Sequence, residues 1–313
     1  MGLGQGAGGD HLTAPMTTPT AFDAYEAVRH RLPPASALPR PSQHVETLAE
    51  LADDFDVFLL DAFGVLNIGE TAIPDTPGRV AALTAAGKRV LVVSNAAGFP
   101  HATLMAKYAR LGYDFAPEDV ITSRKTLLAA MDGRRELRWG LMATPSAGLG
   151  DLEGLDLQYL EDDPAVHDAV DGVLMIGSAA WTEPRQALLE AALQKRPRPV
   201  LVGNPDIVAP RETGFSTEPG YFAHRLADRT GITPEFFGKP FGNIFDLAFA
   251  RLGAVDRTRV LMVGDSLHTD ILGARTAGVA SALITGYGFF AGADAAAAAA
   301  QSGIAPDYFV TRP

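Results

Sequence analysis

The 313-residue chain contains no cysteine. That excludes a disulfide framework, a thiol nucleophile and a thiolate metal site, and it fits an expected cytoplasmic location. Basic residues are also in short supply: 26 Lys and Arg against 37 Asp and Glu give a formal net charge of −11 and a pI of about 5.1. With no Lys/Arg-rich block to offset this, neither nucleic acid nor an anionic membrane is expected as the main partner. Long apolar runs are missing as well. The longest monotonous stretch, Ala295 to Ala300, is far too short to span a bilayer and reads as a surface helix capped by Asp294. The first nine residues carry five glycines and no apolar h-region, so no signal peptide is expected. The hydrophobic fraction of 47% and charged fraction of 20% are those of an ordinary globular protein, long enough for about two domains.

Residues 1–45, rich in Gly and Pro, read as an N-terminal extension of no legible function, with one helix near Ala21 to Arg31. From Val57 the pattern changes. Val57-Phe58-Leu59-Leu60 is a continuous apolar run, as expected of a strand buried on both faces of a parallel sheet. Thr76-Pro77 predicts an N-cap and first helical residue, with Gly87 ending the helix. Further strands are predicted at Val90–Val93, Val260–Val263 and Ala280–Ile284, and helices at His101–Leu111, Ile244–Leu252 and Thr269–Ala277. Such alternation implies a parallel sheet with helices on both faces. A second α/β stretch interrupts it, with strands expected at Leu137–Met142, Val173–Ile176 and Val200–Val202 and helices at Glu183–Gln194 and Tyr221–Arg229. The organisation expected is a Rossmann-like α/β core over 46–131 and 233–313, with an inserted α/β cap domain over 132–232.

Ligands of open α/β sheets bind beyond the carboxyl ends of the strands, so the polar residues there are the candidates for chemistry. The strand at Val57 ends in Asp61, and the strand at Val90 ends in Ser94-Asn95. Gly238-Lys239-Pro240 precedes a later helix, and Gly264-Asp265-Ser266 follows the strand at Val260, with Asp270 just beyond. This set suits a phosphoryl group. Asp61 can attack phosphorus as a carboxylate nucleophile, and Asp61 with Asp265 can hold Mg²⁺. Lys239 can neutralise charge on the transferred group, while Ser94 and nearby backbone N–H groups can hold its oxygens.

The order and wording of these segments resemble the haloacid dehalogenase superfamily, specifically its class IIA branch of NagD-like sugar and nucleotide phosphatases. The resemblance covers residues 50 to 310. It implies the nucleophile at Asp61, the motif-two hydroxyl at Ser94, the motif-three lysine at Lys239 and the motif-four acids at Asp265 and Asp270. The metal set it implies is Asp61, the carbonyl of Phe63, Asp265 and Asp270. Gly203-Asn204-Pro205-Asp206 is similar to a recurring loop of the cap, which with Asn95 puts Asn204 and Asp206 on the substrate-binding side. One departure stands out. The family's phosphatases carry a general acid–base aspartate two residues after the nucleophile, where this chain has Phe63. The expected function is therefore a Mg²⁺-dependent phosphatase acting on a small phosphorylated metabolite through an aspartyl-phosphate. The alternatives are a phospho-ligand-binding protein with little turnover, and metal-free 2-haloacid dehalogenation, since Asp-Ala-Phe-Gly also resembles Asp-Ala-Tyr-Gly of the true dehalogenases. A homodimer through the cap is left open. His268 is expected to face solvent, and Tyr287, Phe289 and Phe290 to pack around a loop.

Overall fold

In the computed structural model, which describes residues 16–35 and 41–313, the chain folds around two parallel sheets. Helix α1 (Thr18–Ala27) comes first, followed by strands β1 (Gln43–Thr47) and β2 (Val57–Leu60). A small antiparallel hairpin, β3 (Asn67–Ile68) and β4 (Thr71–Ala72), leads through α2 (Thr76–Ala85) to β5 (Arg89–Ser94). Helix α3 (His101–Arg110), β6 (Val120–Thr122) and α4 (Ser123–Ala129) close the first half. The chain then builds its second sheet from β7 (Arg138–Met142), β8 (Asp156–Tyr159), α5 (Pro164–Ala169), β9 (Gly172–Met175), α6 (Glu183–Lys195) and β10 (Val200–Val202). An antiparallel hairpin, β11 (Val208–Pro210) and β12 (Phe215–Thr217), is followed by α7 (Pro219–Thr230) and β13 (Glu235–Phe236). The return comprises α8 (Gly242–Leu252), β14 (Val260–Gly264), α9 (Leu272–Ala277), β15 (Ala280–Ile284), α10 (Ala295–Ser302) and β16 (Tyr308–Arg312).

The seven-stranded sheet runs β1-β16-β15-β14-β2-β5-β6, parallel throughout. Strand β2 shows why an unbroken apolar run was needed. Phe58 and Leu60 pack with Val80, Leu83 and Tyr108 of α2 and α3, while Val57 and Leu59 pack with Ile244, Phe245 and Ala274 of α8 and α9. Successive side chains point to opposite faces, so both sets must be apolar when helices cover both faces. The second sheet, β13-β10-β9-β7-β8, repeats the arrangement. Val173 and Met175 meet Leu189, Leu193 and Leu226 of α6 and α7, and Leu174 and Ile176 meet Leu127 and Met131 on the α4 side.

The strands predicted from apolar runs are all present, within a residue or so at their ends. Strands β1, β6, β8, β13 and β16 have no counterpart in the sequence reading, and four of these five lie at sheet edges. Strands β1, β8 and β13 are short and partly exposed, and β6 is only a short buried strand, so no apolar run marks them. Thr76 is the first residue of α2 rather than its cap; Asp75, with φ 65°, holds the cap position. Helix α1, the one helix expected in the N-terminal extension but begun at Thr18, buries Ala21, Phe22 and Tyr25. They pack against Ile207 and Val208 of the β10–β11 loop and hairpin, and against Leu267, Leu272 and Phe289 beside β14 and β15. Tyr287 is half-buried while Phe289 and Phe290 are buried, so two of these three aromatics are core residues. Among the described residues no helix is long and apolar enough to cross a membrane.

Candidate active site

The ladder between β2 and β14 extends one residue past β2, with Asp61 N donating to Val263 O at 2.9 Å. This fixes Asp61 at the carboxyl end of a central strand, beside the turn that follows β14. Lys239 reaches the same point from the segment before α8. Its Nζ lies 2.6 Å from Asp61 Oδ1 and 2.7 Å from Asp270 Oδ1, and its side chain is 1% exposed. Asn95, just after β5, sets the Lys239 backbone: its Oδ1 accepts from Lys239 N at 2.7 Å and its Nδ2 donates to Lys239 O at 2.9 Å. Four segments thus converge where parallel strands end.

Asp270 is fully buried, and its Oδ2 accepts from the backbone N–H groups of Asp265 and Ser266 at 3.1 and 3.0 Å. These bonds tighten the chain after β14 into a π turn over Leu267–Ile271 before α9 begins. Asp265, held by this turn, accepts from Phe289 N at 2.8 Å. Gly64 and Gly288, with φ of 75° and 71°, close around it so tightly that a Cβ would stand 2.1 or 1.9 Å from its Oδ2. No other residue type fits at either place.

Three carboxylates face one ammonium here, an excess of negative charge in a buried place. Burial pushes the Asp61 carboxyl up to about 7, with Lys239 opposing the shift and Asp270 adding to it. Burial, then Asp270 and Asp61, raise Asp265 well above the usual carboxylate range. Burial alone would lower Lys239, but Asp270 and Asp61 outweigh it and hold the ammonium above its ordinary value. Asp61, Asp265 and Asp270 are a group of acids whose oxygens lie within 4.8 Å of one another, a hard-oxygen set that fits a divalent cation. Within it Asp270 already spends one oxygen on Lys239 and the other on two backbone N–H groups, which leaves Asp61 and Asp265 better placed as ligands.

Ser94 is buried at the end of β5, next to β2 in the sheet, its Oγ accepting from Ala96 N at 3.3 Å, so its own proton remains to be donated. Asn95 has no polar group to spare: its Nδ2 also donates to Asp206 Oδ1 at 2.7 Å, and its Oδ1 accepts from Ser123 Oγ at 2.9 Å. Asn204 Oδ1 accepts from Asp206 N at 3.0 Å in an Asx turn, and its Nδ2 donates to Glu218 Oε2 at 3.1 Å. The loop after β10 is therefore brought onto the seven-stranded sheet through Asn95 and Asp206. Burial raises Asp206 well above its usual range, against the lowering effect of the Asn95 bond. His268 does not face solvent. It is 1% exposed, stacks on Tyr25 with ring centroids 5.0 Å apart, and its Nε2 lies 2.5 Å from Glu26 Oε1. A one-sided helix pattern would have left it outside, but α1 covers that face.

Phe63 is half-buried, with Lys107 Nζ of α3 and the Arg211 guanidinium of the β11–β12 hairpin each 5.2 Å from its ring centroid. Neither cation was legible as a site residue. Lys107 lies inside a helix far from any strand end, and Arg211 sits in a Pro-Arg-Glu-Thr-Gly turn.

The family model described as haloacid dehalogenase-like hydrolase matches residues 58–146, and a second, HAD-hydrolase-like, matches 236–312. Glycerol-3-phosphate phosphatase of Gallus gallus is 31% identical over 290 residues, covering 85% of this chain and 92% of its own. A structure described as a possible sugar phosphatase of the HAD superfamily, from Cytophaga hutchinsonii, superposes with a TM-score of 0.75 at 22% identity, over 87% of this chain and 98% of that one. Glycerol phosphate phosphatase from Mycobacterium tuberculosis, in complex with magnesium, gives 0.61 at 24% identity over 76% of this chain and 70% of that one. The chain belongs to the haloacid dehalogenase-like hydrolases, in their class IIA, NagD-like branch, and is a phosphoric monoester hydrolase.

Proposed function

We propose that the protein is a Mg²⁺-dependent phosphatase of a small phosphorylated metabolite, a sugar or nucleotide phosphate, working through an aspartyl-phosphate on Asp61. The observation that carries this reading is Lys239 Nζ lying between Asp61 Oδ1 and Asp270 Oδ1, with Asp265 alongside. Asp61, Asp265 and the Phe63 carbonyl would hold the cation, with Asp270 supporting the turn that carries Asp265. The cation supplies charge neutralisation for the phosphoryl oxygens. The magnesium complex of the mycobacterial phosphatase supports the choice of ion.

Asp61 Oδ attacks phosphorus and the bond to the leaving oxygen breaks, its electron pair leaving with that oxygen. Lys239 and the Ser94 hydroxyl hold the equatorial oxygens as charge spreads over them. Water then attacks the phosphorus of the aspartyl-phosphate, and the Asp61 carboxylate is restored. The Asn204–Asp206 loop, held in place by Asn95, lines the substrate side and fixes the seat for the leaving portion. A second reading, ligand binding with little turnover, is favoured only by Phe63.

Phosphate release from a panel of sugar, glycerol and nucleotide phosphates, with Mg²⁺ and with chelator, tests the reading. Release that needs Mg²⁺ and vanishes in Asp61→Asn is expected. Calorimetry should show Mg²⁺ binding to wild type and its loss in Asp265→Asn. Turnover surviving Asp61→Asn would discard Asp61 as nucleophile, and identical Mg²⁺ heats for wild type and Asp265→Asn would discard the metal site.

A further inference from the structure

Phe63 stands where relatives of the same pattern place the residue that hands a proton to the departing oxygen, and its side chain has no proton to give. Two cations stand beside its ring. Lys107 comes from α3, and its Nζ donates to Gly69 O and Glu70 Oε1, both at 2.8 Å. Arg211 comes from the β11–β12 hairpin. Its Nε donates to Ser216 Oγ at 2.7 Å and its Nη2 to Glu218 Oε1 at 2.9 Å. Nη1 has no hydrogen-bond partner among the described residues, and the side chain is 39% exposed. The hairpin is anchored where it needs to be: Glu212 Oε1 accepts from Glu70 N at 2.9 Å, tying it to the β3–β4 hairpin that follows Asp61.

The geometry points to Arg211 as a specificity-determining residue: held over the Phe63 ring, it neutralises the charge that develops on the leaving oxygen, so that with no acid at Phe63 phosphate esters and anhydrides whose leaving group departs unprotonated turn over fastest and alkyl phosphates are slow substrates. The inference rests on Asp61 being the nucleophile. When the Asp61–phosphorus bond forms and the phosphorus–oxygen bond breaks, the departing oxygen keeps the electron pair and a full negative charge. It takes its proton from water only after release. Protonation in the site would make alkyl alcohols leave as readily as better leaving groups. A fixed guanidinium does not, but it stabilises a phenolate, a carboxylate or a phosphate as it leaves. Lys107 adds to the positive field but is turned to Gly69 and Glu70, so Arg211 with its open Nη1 is the contact group. Glu218 offsets part of the Arg211 charge, which makes the effect a moderate one.

The test is a series of substituted phenyl phosphates with Mg²⁺, from nitrophenyl to unsubstituted phenyl, whose leaving group has a pKa of about 10. Phospho-enzyme formation is followed in single turnover for the full-length wild type, Arg211→Met and Arg211→Lys. Wild type should slow steeply as leaving-group pKa rises. Arg211→Met should be steeper still, losing little on nitrophenyl phosphate and about tenfold on phenyl phosphate, below the 10²–10³-fold typical of a fully buried donor. Arg211→Lys should recover most of that loss, and carries the comparison if the Met variant does not fold. Equal losses on every ester would mean that Arg211 only closes the hairpin on β3–β4, and would overturn the inference. So would a wild type indifferent to leaving-group pKa. No release of phosphate from any ester would remove the Asp61 reading and this one with it.

Discussion

Phe63→Asp puts a carboxyl group two residues after Asp61, where general acid–base help to the proposed reaction is expected. General acid–base help at such a position is worth about 10²–10⁴-fold, but the surroundings of Phe63 argue for a smaller and lopsided gain. Lys107 and Arg211 lie 5.2 Å from the ring centroid. At that range one unit charge attracts another by about 3 kcal/mol for an effective dielectric near 20. Both cations already face carboxylates, Glu70 and Glu218, so only a fraction of this remains. The fraction still favours the ionised form of the introduced carboxyl group over its acid form. An ionised carboxylate activates water well and protonates a leaving group poorly. Hydrolysis of the aspartyl-phosphate should therefore accelerate by about 10–100-fold, and its formation from alkyl phosphates by less, at the low end of the general-base range. Acid-quenched reactions should show phospho-enzyme accumulating in wild type on aryl phosphates and falling in the variant. Loss of ring packing costs stability, so a melting temperature accompanies every rate. A folded variant with unchanged phospho-enzyme level and unchanged steady-state rates on aryl and alkyl phosphates would refute the reasoning, because Phe63 would then not be the deficit.

Two further outcomes follow from groups away from the chemistry. His224 of α7 is buried against Phe236, and burial, helped by Arg31 and His30 and opposed by Asp228, lowers its pKa to about 4. A group held below its unfolded value near 6.5 stabilises the fold above that pH and loses the contribution as pH falls toward 4, here about 3 kcal/mol. Urea unfolding of wild type and His224→Gln at pH 7 and pH 4.5 should show a smaller acid loss in the variant; parallel losses would exclude His224 as the source. Tyr25 stacks on His268, and its hydroxyl accepts from Ile207 N at 3.0 Å, so α1 ties the loop after β10 to the turn carrying Asp265 and Asp270. Tyr25→Ala should cost about 3–5 kcal/mol, as for other buried aromatic truncations, and should weaken Mg²⁺ binding measured by calorimetry. Unchanged Mg²⁺ affinity would limit α1 to a packing role.

The sequence alone marked the strands that matter most. Val57–Leu60, Val90–Val93 and Val260–Val263 are apolar without interruption because helices cover both faces of the sheet, and the polar residues after each run had to stand at the carboxyl ends. Asp61, Ser94, Asp265 and Asp270 were legible for that reason, as local punctuation of long buried runs, while Lys239 was marked only by its place before α8. Edge strands β1, β8 and β13 carried no such run and were not. Tertiary structure alone decided what each polar group does. Asn95 spends all its polar atoms on Lys239, Ser123 and Asp206, and Asp270 divides its oxygens between Lys239 and the turn it supports. Burial of His268 depends on α1, over 200 positions earlier, and Arg211 meets Phe63 only because two hairpins far apart in the chain are tied by Glu212 and Glu70. Hydrophobic periodicity is a property of neighbours in sequence and survives in one dimension. Charge pairing and burial depend on which distant segments share a surface, and that is set only when the two sheets and α1 close on one another.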